Sequence, residues 1–536
     1  MDKNIKKINA RTITLTILFV LILVVIALLI GKFSYSYLAP TVSDDVEGAG
    51  EVTASGDTII FTKGNTLSLS ATTDNFKTGG SNLTATTNPK VKLMASSKTE
   101  SASSKYYVGV HIKNNNFIYS TTSKTPEIIL TIKDEKGNDV TSVDGLTYTT
   151  SGGISGFDVT NKSGLYNVDL SHTIATTSSS SEIIHTWTFI LTFNNLETDQ
   201  SVNENSKMNI EIYLMKEKPI STVADVCSGG ETLASCVTTL KEKDTLGVAN
   251  IYFHDANLVN GAGDNSYRYA GANPNNYVCF GSDDTTCPTE NLFRIIGLID
   301  GKVKLIHAYG ATTDMLGTDE GYAKTYQAAF GSYSSYYKGN EDLTKIGTYK
   351  WNKTRDTTWS TSTTNTTNLN KNFLAYLDGK NAKWKKMIAD ITWYVGGITR
   401  ANGHNSNAKT AYDYEVGANK DTTTTVTSKI GMMYVSEYYY AASKDYWTLP
   451  GANNEGNDYR TAVNDNWLYT GLYEWAISRY SVGSDDAYGV SGGGFIVGDA
   501  VDDSNGIAVR PSFSLSSSIK FTSGEGTKNS PIRIAD

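Results

Sequence analysis

The sequence predicts a membrane-anchored, mainly β protein in which an antiparallel β-sandwich is followed by an α+β domain. Three observations predict it: an uncharged apolar run near the N-terminus, many short β-branched or aromatic segments in residues 51–217, and a Trp/Tyr-rich region over residues 220–536. Seven of the eight tryptophans and 25 of the 33 tyrosines lie beyond residue 240. The 536 residues suffice for two or three extracellular domains, each with its own core.

The apolar segment Ile13–Ile30 predicts a membrane span. Twenty uncharged residues lie between Arg11 and Lys32, enough for a helix across a hydrocarbon core of roughly 30 Å. Lysines and Arg11 precede it and acidic residues follow it, so the positive-inside rule places the N-terminus in the cytoplasm. We therefore expect a single-pass membrane protein with a cytoplasmic tail at 1–11, a transmembrane helix or signal anchor at 12–31, a linker at 32–50 and an extracellular remainder.

Two fates of this segment stay open. The run is longer than the apolar region of a usual cleaved signal peptide, which favours a retained anchor. The small-x-small pattern Ser34-Tyr35-Ser36 is suited to signal peptidase, and cleavage after Ser36 would make the protein secreted. Both alternatives predict export.

Charge and cysteine content agree with an exported protein. The net charge of −8 leaves no basic stripe for phosphates, so we expect no nucleic-acid partner. The four cysteines form two close pairs, Cys227/Cys236 and Cys279/Cys287. Four cysteines allow three connectivities, and we predict disulfides between neighbours, because each pair closes a loop of under ten residues. A zinc site would need tighter CxxC knuckles, which these spacings lack.

The pattern of the first extracellular region, residues 51–217, predicts a series of short strands, and the region contains no helix-length apolar stripe. His111, His172 and His185 are isolated on strand-like segments, so we interpret them as packed or exposed β-residues and not as ligands. The predicted strands are Asp57–Thr62, Leu67–Ala71, Val91–Met94, Tyr106–Ile112, Glu127–Ile132, Leu146–Thr149, Tyr166–Asp169, Glu182–Phe193 and Met208–Leu214.

The run Trp187–Leu196, followed by Asp199–Asn203 and Ile210–Ile212, resembles the closing strands of bacterial biofilm-matrix proteins of the TasA and camelysin type. Gly31–Tyr37 is similar to the end of their signal sequences. The resemblance implies a jelly-roll β-sandwich able to assemble into fibres or to coat a surface. No H-E-x-x-H motif is present, so we infer no peptidase activity.

The second region, residues 220–536, predicts a mixture of hairpins, helices and loops. We expect a helix over Thr232–Asp244 and a hairpin turning at Asp300-Gly301, a dipeptide that tolerates positive φ. Further predictions are a hairpin of Tyr267–Gly271 with Tyr277–Phe280, a structureless loop at Thr357–Asn368, helices Asn370–Leu377 and Ala382–Tyr394, and strands Ile430–Val435, Tyr473–Arg479, Ala487–Val490, Phe495–Val497, Ile507–Leu515 and Ile519–Thr522.

Motifs across residues 260–535 resemble a family of uncharacterised bacterial surface proteins; they include Tyr267-Arg268-Tyr269, Phe293–Gly297, Trp447-Thr448-Leu449-Pro450, Trp475–Arg479 and Val509–Phe513. Trp447–Pro450 and Val509-Arg510-Pro511 are also similar to the formylglycine-generating-enzyme branch of the C-type-lectin-like fold. That resemblance implies variable binding loops over a small sheet core. The catalytic cysteine pair of that branch is missing, because no cysteine follows Cys287, and we expect no enzyme.

Two sets of residues are candidate binding sites. Tyr439, Trp447 and Trp467 could form an aromatic platform for a sugar or peptide, although large aromatic residues more often pack a core. The acidic loop with Asp499, Asp502, Asp503 and Asn505 offers oxygen ligands for calcium but lacks EF-hand spacing, and a solvated turn is the alternative. We predict no other cofactor.

These observations favour a bacterial cell-surface display or adhesion protein that binds an extracellular glycan or protein through residues 220–536. A self-assembling component of a matrix fibre or coat is the first alternative, and a cell-envelope hydrolase is the second. In each case we expect the membrane to be contacted through Ile13–Ile30.

Overall fold

The structure, a computed structural model, describes residues 49–54, 57–72, 79–98, 100–339, 341–399, 402, 404–481 and 485–536. The predicted membrane segment Ile13–Ile30 and the cleavage position Ser36 lie outside these residues. Among the described helices, none combines the length and the apolar character that a bilayer crossing requires. The prediction of a mainly β protein is confirmed, with 34% strand and 18% helix.

The first region contains thirteen strands in its described part, and their apolar residues alternate with polar ones along the chain. In Lys207–Met215, for example, every second side chain is buried, as expected for a strand with one face on a core. The strands are β1 (Ala49–Ala54), β2 (Asp57–Thr62), β3 (Leu67–Ser70), β4 (Leu83–Thr87), β5 (Lys90–Met94), β6 (Ser103–Lys113), β7 (Ile128–Lys133), β8 (Thr147–Ser151), β9 (Ile154–Asp158), β10 (Gly164–Ala175), β11 (Glu182–Thr186), β12 (Thr188–Phe193) and β13 (Lys207–Met215).

These strands form three antiparallel sheets around one hydrophobic core. The strand orders are β1-β2-β5-β11, β10-β6-β13-β3 and β4-β12-β7-β9-β8. The predicted strand Glu182–Phe193 is in fact two strands, β11 and β12, which belong to different sheets. Side chains from all three sheets, including Val91, Val110 and Leu191, fill the common core. Trp187 lies at the junction of β11 and β12 and is buried there.

The second region combines seven α-helices with seventeen short strands in its described part. The helices are α1 (Leu233–Lys243), α2 (Thr313–Leu316), α3 (Tyr326–Phe330), α4 (Leu374–Lys380), α5 (Ala382–Lys386), α6 (Ala408–Glu415) and α7 (Val435–Tyr440). The strands are β14 (Ile251–His254), β15 (Ser266–Tyr269), β16 (Tyr277–Cys279), β17 (Leu292–Ile299), β18 (Lys302–His307), β19 (Tyr322–Thr325), β20 (Gly347–Tyr349), β21 (Ile391–Tyr394), β22 (Thr425–Ser428), β23 (Ile430–Gly431), β24 (Glu474–Arg479), β25 (Asp486–Val490), β26 (Ile496–Ala500), β27 (Ile507–Ala508), β28 (Ser512–Ser514), β29 (Lys520–Ser523) and β30 (Arg533–Ala535).

Two larger sheets organise this region. One has the order β14-β15-β17-β18-β28-β23 with β16 also paired to β17, and the other has the order β19-β20-β27-β24-β25-β26. The pairs β21-β22 and β29-β30 form two small additional sheets. The strand pairs named above are antiparallel, except for the parallel contact between β24 and β27. A second hydrophobic core, separate from the first, lies among these elements.

Several local predictions are confirmed. The strands β17 and β18 form the expected hairpin, with Asp300 and Gly301 both at positive φ. The helix α1 begins after Thr232, whose hydroxyl accepts a hydrogen bond from the Ser235 amide, as an N-cap should. Both predicted disulfides, Cys227–Cys236 and Cys279–Cys287, are present.

The predicted hairpin of Tyr267–Gly271 with Tyr277–Phe280 is wrong. The strands β15 and β16 do not pair with each other, because both lie along β17, one after the other. Asn276 stabilises this arrangement by donating a hydrogen bond to the Ile295 carbonyl at 2.8 Å and accepting one from Arg294 at 2.7 Å. The buried hydrogen bonds of Asn276 therefore fix the chain along β17, where the sequence predicted a hairpin turn between β15 and β16.

Two helix and loop predictions are also wrong. The helix predicted over Ala382–Tyr394 ends at Lys386, and Ile391–Tyr394 becomes β21 because its β-branched and aromatic residues pair with β22. The polar segment Thr357–Asn368 is ordered into a 3-10 turn and a π-helix over Thr364–Phe373 that continues into α4. Its asparagines donate to main-chain carbonyls, as Asn365 does to Trp359, which offsets the cost of burying polar groups.

Candidate functional site

The three aromatic residues that the sequence predicts as a ligand platform lie in the interior of the second region. Tyr439, on α7, and Trp447 are fully buried, and only 5% of Trp467 is exposed. The indole N–H of Trp447 donates to the Ala442 carbonyl at 2.9 Å, and that of Trp467 donates to the Tyr269 carbonyl at 2.8 Å. The prediction of a surface platform is wrong, because these rings pack the core and present no open face.

The acidic loop predicted to bind calcium contains Asp499, Asp502, Asp503 and Asn505. Protein donors already occupy part of it, since Tyr473 donates to Asp499 at 3.0 Å and Lys324 donates to Asn505 at 2.8 Å. Among the residues that the structure describes, the three aspartates do not gather their oxygens within ligand distance of a common point. Calcium binding at this loop stays a prediction of the sequence.

Potential metal ligands do gather in the first region. Glu135 lies in the turn that follows β7, His172 lies on β10 and His185 lies on β11. Each side chain offers one ligand atom, and these atoms lie within 4.8 Å of one another. We call these three residues the His–Glu cluster. Three separate elements supply them, so only the folded domain assembles the cluster.

His172 lies between two carboxylates. Its Nε2 is 3.1 Å from Oε2 of Glu135, and its Nδ1 is 2.8 Å from Oδ2 of Asp169 on the same strand. The contact with Asp169 orients the imidazole ring, so that Nε2 points at Glu135. A carboxylate on the remote nitrogen of a histidine is the usual support for a metal-binding imidazole.

His185 is oriented by a second hydrogen-bonded chain. Its Nδ1 lies 3.0 Å from the Tyr106 hydroxyl, which accepts a hydrogen bond from the Trp187 indole at 2.8 Å. The His172 ring packs edge-on against Trp187 and against His185, with centroid separations of 5.0 and 5.6 Å. Aromatic packing and hydrogen bonds together hold both imidazoles beside Glu135.

The cluster is mostly withdrawn from solvent. The Glu135 side chain is 10% exposed, and its Oε2, which lies 3.1 Å from Nε2 of His172, is buried without a hydrogen-bond partner. Burial lowers the pKa of His185, and the Glu135 carboxylate opposes that effect. Burial therefore favours the neutral form of the His185 imidazole, which is the form that ligates a metal ion.

The sequence did not predict this cluster. His172 and His185 lie on strands that pair with different neighbours, β10 with β6 and β11 with β5, so no local hairpin signal links them. Glu135 belongs to a turn 37 residues before His172 and carries no local signal either. His172 and His185 are strand residues, as predicted, but they are not isolated, because their ring centroids are 5.6 Å apart. His111 does lie apart, next to Tyr213.

The second region contains a cleft of about 770 Å³ between the loop 255–264 and α6 with the turn that follows it. Its lining combines exposed aliphatic, aromatic, amide and charged groups of both signs. Val259 projects from the loop with 66% of its surface exposed, and Lys409 pairs with Asp413 at 2.6 Å on the opposite wall. Such mixed lining suits a polar ligand with an apolar side.

Buried charges support the floor of this cleft. Asp264 pairs with Arg268 at 2.7 Å, and the Arg268 guanidinium lies over the rings of Tyr412 and Tyr440. Burial raises the pKa of Asp264, but Arg268 and hydrogen bonds from Ser266 outweigh this effect and hold the pKa at about 2. The carboxylate is therefore charged and fixed, which makes the wall of the cleft rigid.

Comparisons with protein-family models, with curated proteins and with solved structures found no match to this chain.

Proposed function

We propose that this chain is an exported surface protein that displays its second domain for binding an extracellular glycan or protein. The observation that carries the proposal is the cleft between the loop 255–264 and α6, whose volume of about 770 Å³ is typical of ligand sites. The two disulfides support an oxidising compartment, which fits export. We also propose that the first domain is a β-sandwich and that the second domain has a lectin-like fold.

The chemistry of the cleft narrows the class of ligand. Hydroxyl-rich and amide-rich ligands satisfy carboxylates, amides and lysines, while Val259 and Leu258 add an apolar surface against a sugar or peptide face. Asp255, Asp264 and Asp413 alternate with Lys409 and Lys420, so a strongly charged ligand of either sign would meet like charges. A neutral glycan or an uncharged peptide segment fits best.

The test is binding of the full-length chain to an array of glycans and extracellular proteins, repeated with Val259→Asp and Lys420→Glu. We expect selective binding that weakens at least tenfold in both variants. The matched control is Val202→Asp, because Val202 is also exposed, at 54%, but belongs to the first region. Absence of selective binding, or an equal effect of all three substitutions, would contradict the proposal.

A second candidate function is self-assembly of the first domain into a fibre or coat. Leu170 on β10 and Ile184 on β11 are exposed apolar side chains, at 60% and 48%, on strands at the edges of two sheets. Edge strands with exposed apolar residues are templates for pairing with another chain. Filaments formed by the full-length chain and lost in Leu170→Lys with Ile184→Lys would support this function, and their absence in the unmodified chain would argue against it.

A further inference from the structure

We propose that Glu135, His172 and His185 form a binding site for a late first-row divalent cation of the Zn²⁺ class. The site lies in the first domain and is independent of the ligand cleft in the second. Two imidazoles and one carboxylate are a donor set that zinc accepts, with three protein ligands and one open position.

The distances of the cluster are close to those that zinc requires. With bonds of about 2.1 Å at tetrahedral angles, neighbouring ligand atoms lie about 3.4 Å apart. His172 Nε2 and Glu135 Oε2 are already 3.1 Å apart, and the ligand atom of His185 lies within 4.8 Å of both. Binding of a cation would bring the ligand atom of His185 to about 3.4 Å from the other two.

The surroundings supply what a metal site needs beyond its ligands. Nδ1 of His172 is hydrogen-bonded to Asp169, and Nδ1 of His185 is hydrogen-bonded to Tyr106. The Nε2 atom of each ring is therefore the nitrogen that could bind a cation. Glu135 Oε2 is a buried carboxylate oxygen that lacks a hydrogen-bond partner, and a cation would satisfy it.

An ion pair is the alternative use of the same atoms. Without a metal, His172 lies between the carboxylates of Asp169 and Glu135, and Lys136 lies 3.7 Å from the other oxygen of Glu135. That lysine is 74% exposed, so its interaction is weak and does not close the site. These ion pairs do not include His185, whereas a bound metal ion would be ligated by all three residues of the His–Glu cluster.

The experiment is a titration of the untagged full-length chain, stripped with a chelator, with Zn²⁺ in competition with a chromophoric chelator. We expect one zinc per chain, with binding at least tenfold weaker in His172→Gln, His185→Gln and Glu135→Gln. Asp169→Asn should weaken it about tenfold to a hundredfold, as loss of an orienting carboxylate does. His111→Gln is the control, since it removes another buried histidine of the same domain and should leave zinc affinity unchanged.

Thermal melting of each variant in excess chelator checks that the fold is kept, and X-ray absorption at the zinc edge reports the ligands directly. Nitrogen scattering from two imidazoles, reduced in His185→Gln, supports the site even if one variant unfolds. An absence of binding, or binding that falls equally in His111→Gln, would overturn the proposal. So would binding that none of the three cluster substitutions changes.

Discussion

Arg510 and Glu474 form an ion pair in the interior of the second domain, where both side chains are at most 2% exposed. The guanidinium also donates to the Leu468 carbonyl at 2.8 Å, so it links β24 to the loop before it. Burying such a pair contributes little net stability, but removing one partner leaves the other charge without compensation.

We therefore predict that Arg510→Met destabilises the second domain by about 3–5 kcal/mol, because Glu474 stays buried alone. Unfolding in urea, followed by tryptophan fluorescence, measures the change. The control is Arg355→Met, which breaks the pair with Asp485 at a guanidinium that is 68% exposed and should cost at most about 1 kcal/mol. Equal effects of the two substitutions would contradict this account of the buried pair.

His254 is a buried histidine below the cleft. The Ala262 amide donates to its Nδ1 at 3.0 Å, and Tyr440 and Trp447 pack against the ring. Burial, reinforced by the positive charge of Arg268 and opposed by Asp264, lowers its pKa to about 3. The unfolded chain takes up a proton near pH 6.5 and the folded domain does not, so acidification favours unfolding.

We predict that this histidine makes the unfolding free energy of the second domain fall by up to about 1.4 kcal/mol per pH unit between pH 6.5 and pH 3. In His254→Gln that slope should flatten by the equivalent of one proton, measured by urea unfolding at several pH values. Burial also lowers the pKa of His111, to about 4, so His111→Gln should flatten only the slope of the first domain. An unchanged slope in His254→Gln would exclude this linkage.

At the scale of single elements, each disulfide closes a short loop next to an element of the second domain. Cys236 belongs to α1 and Cys279 to β16, and the bonded residues are nine and eight positions apart. The strand β16 is only three residues long, so the bond limits its freedom to detach from β17.

We predict that Cys279→Ala with Cys287→Ala lowers the unfolding free energy of the second domain by about 2.5 kcal/mol, the chain-entropy value for a loop of this length. Chemical denaturation of the double variant measures the loss. A reducing agent should lower the stability of the unmodified chain by more than this, because it opens both bonds. No change in the variant would mean that the fold of β16 does not depend on the bond.

The His–Glu cluster joins the turn after β7 to β10 and β11, so a bound cation would tie these three elements together. If the metal site exists, Zn²⁺ at a hundred times its dissociation constant should stabilise the first domain by about 2.7 kcal/mol and leave the second unchanged. Thermal denaturation with and without zinc measures this, and Glu135→Gln serves as the control that loses the gain. If zinc stabilised the second domain instead, it would bind outside the His–Glu cluster, which would contradict the prediction.

Elements specified by adjacent residues were predictable from the sequence. The hairpin at Asp300-Gly301, the capped helix α1 and both disulfides depend on neighbours within a few residues. The pairing of β15 and β16 with β17 depends on Arg294 and Asn276, which lie 18 residues apart, and local turn signals do not report such contacts. The His–Glu cluster is the same kind of case, because Glu135 reaches its partners only through the packing of three strands.

At the scale of the whole molecule, the two largest hydrophobic cores of the described residues share no side chain. The first uses residues between Ile59 and Leu214, and the second begins at Val223. Between them, Lys216 donates to Ser104 of the first region, while Lys218 pairs with Asp225 of the second at 2.9 Å. The side-chain partners of the chain therefore change within these two residues.

Separate cores predict separate unfolding. We expect calorimetry of the full-length chain to show two transitions, and fragments 49–217 and 218–536 each to reproduce one of them. Arg510→Met should lower only the transition that the second fragment reproduces, and His111→Gln should affect only the other, because neither side chain contributes to the opposite core. A single cooperative transition that both substitutions shift would mean that an interface between the domains dominates the stability of each core.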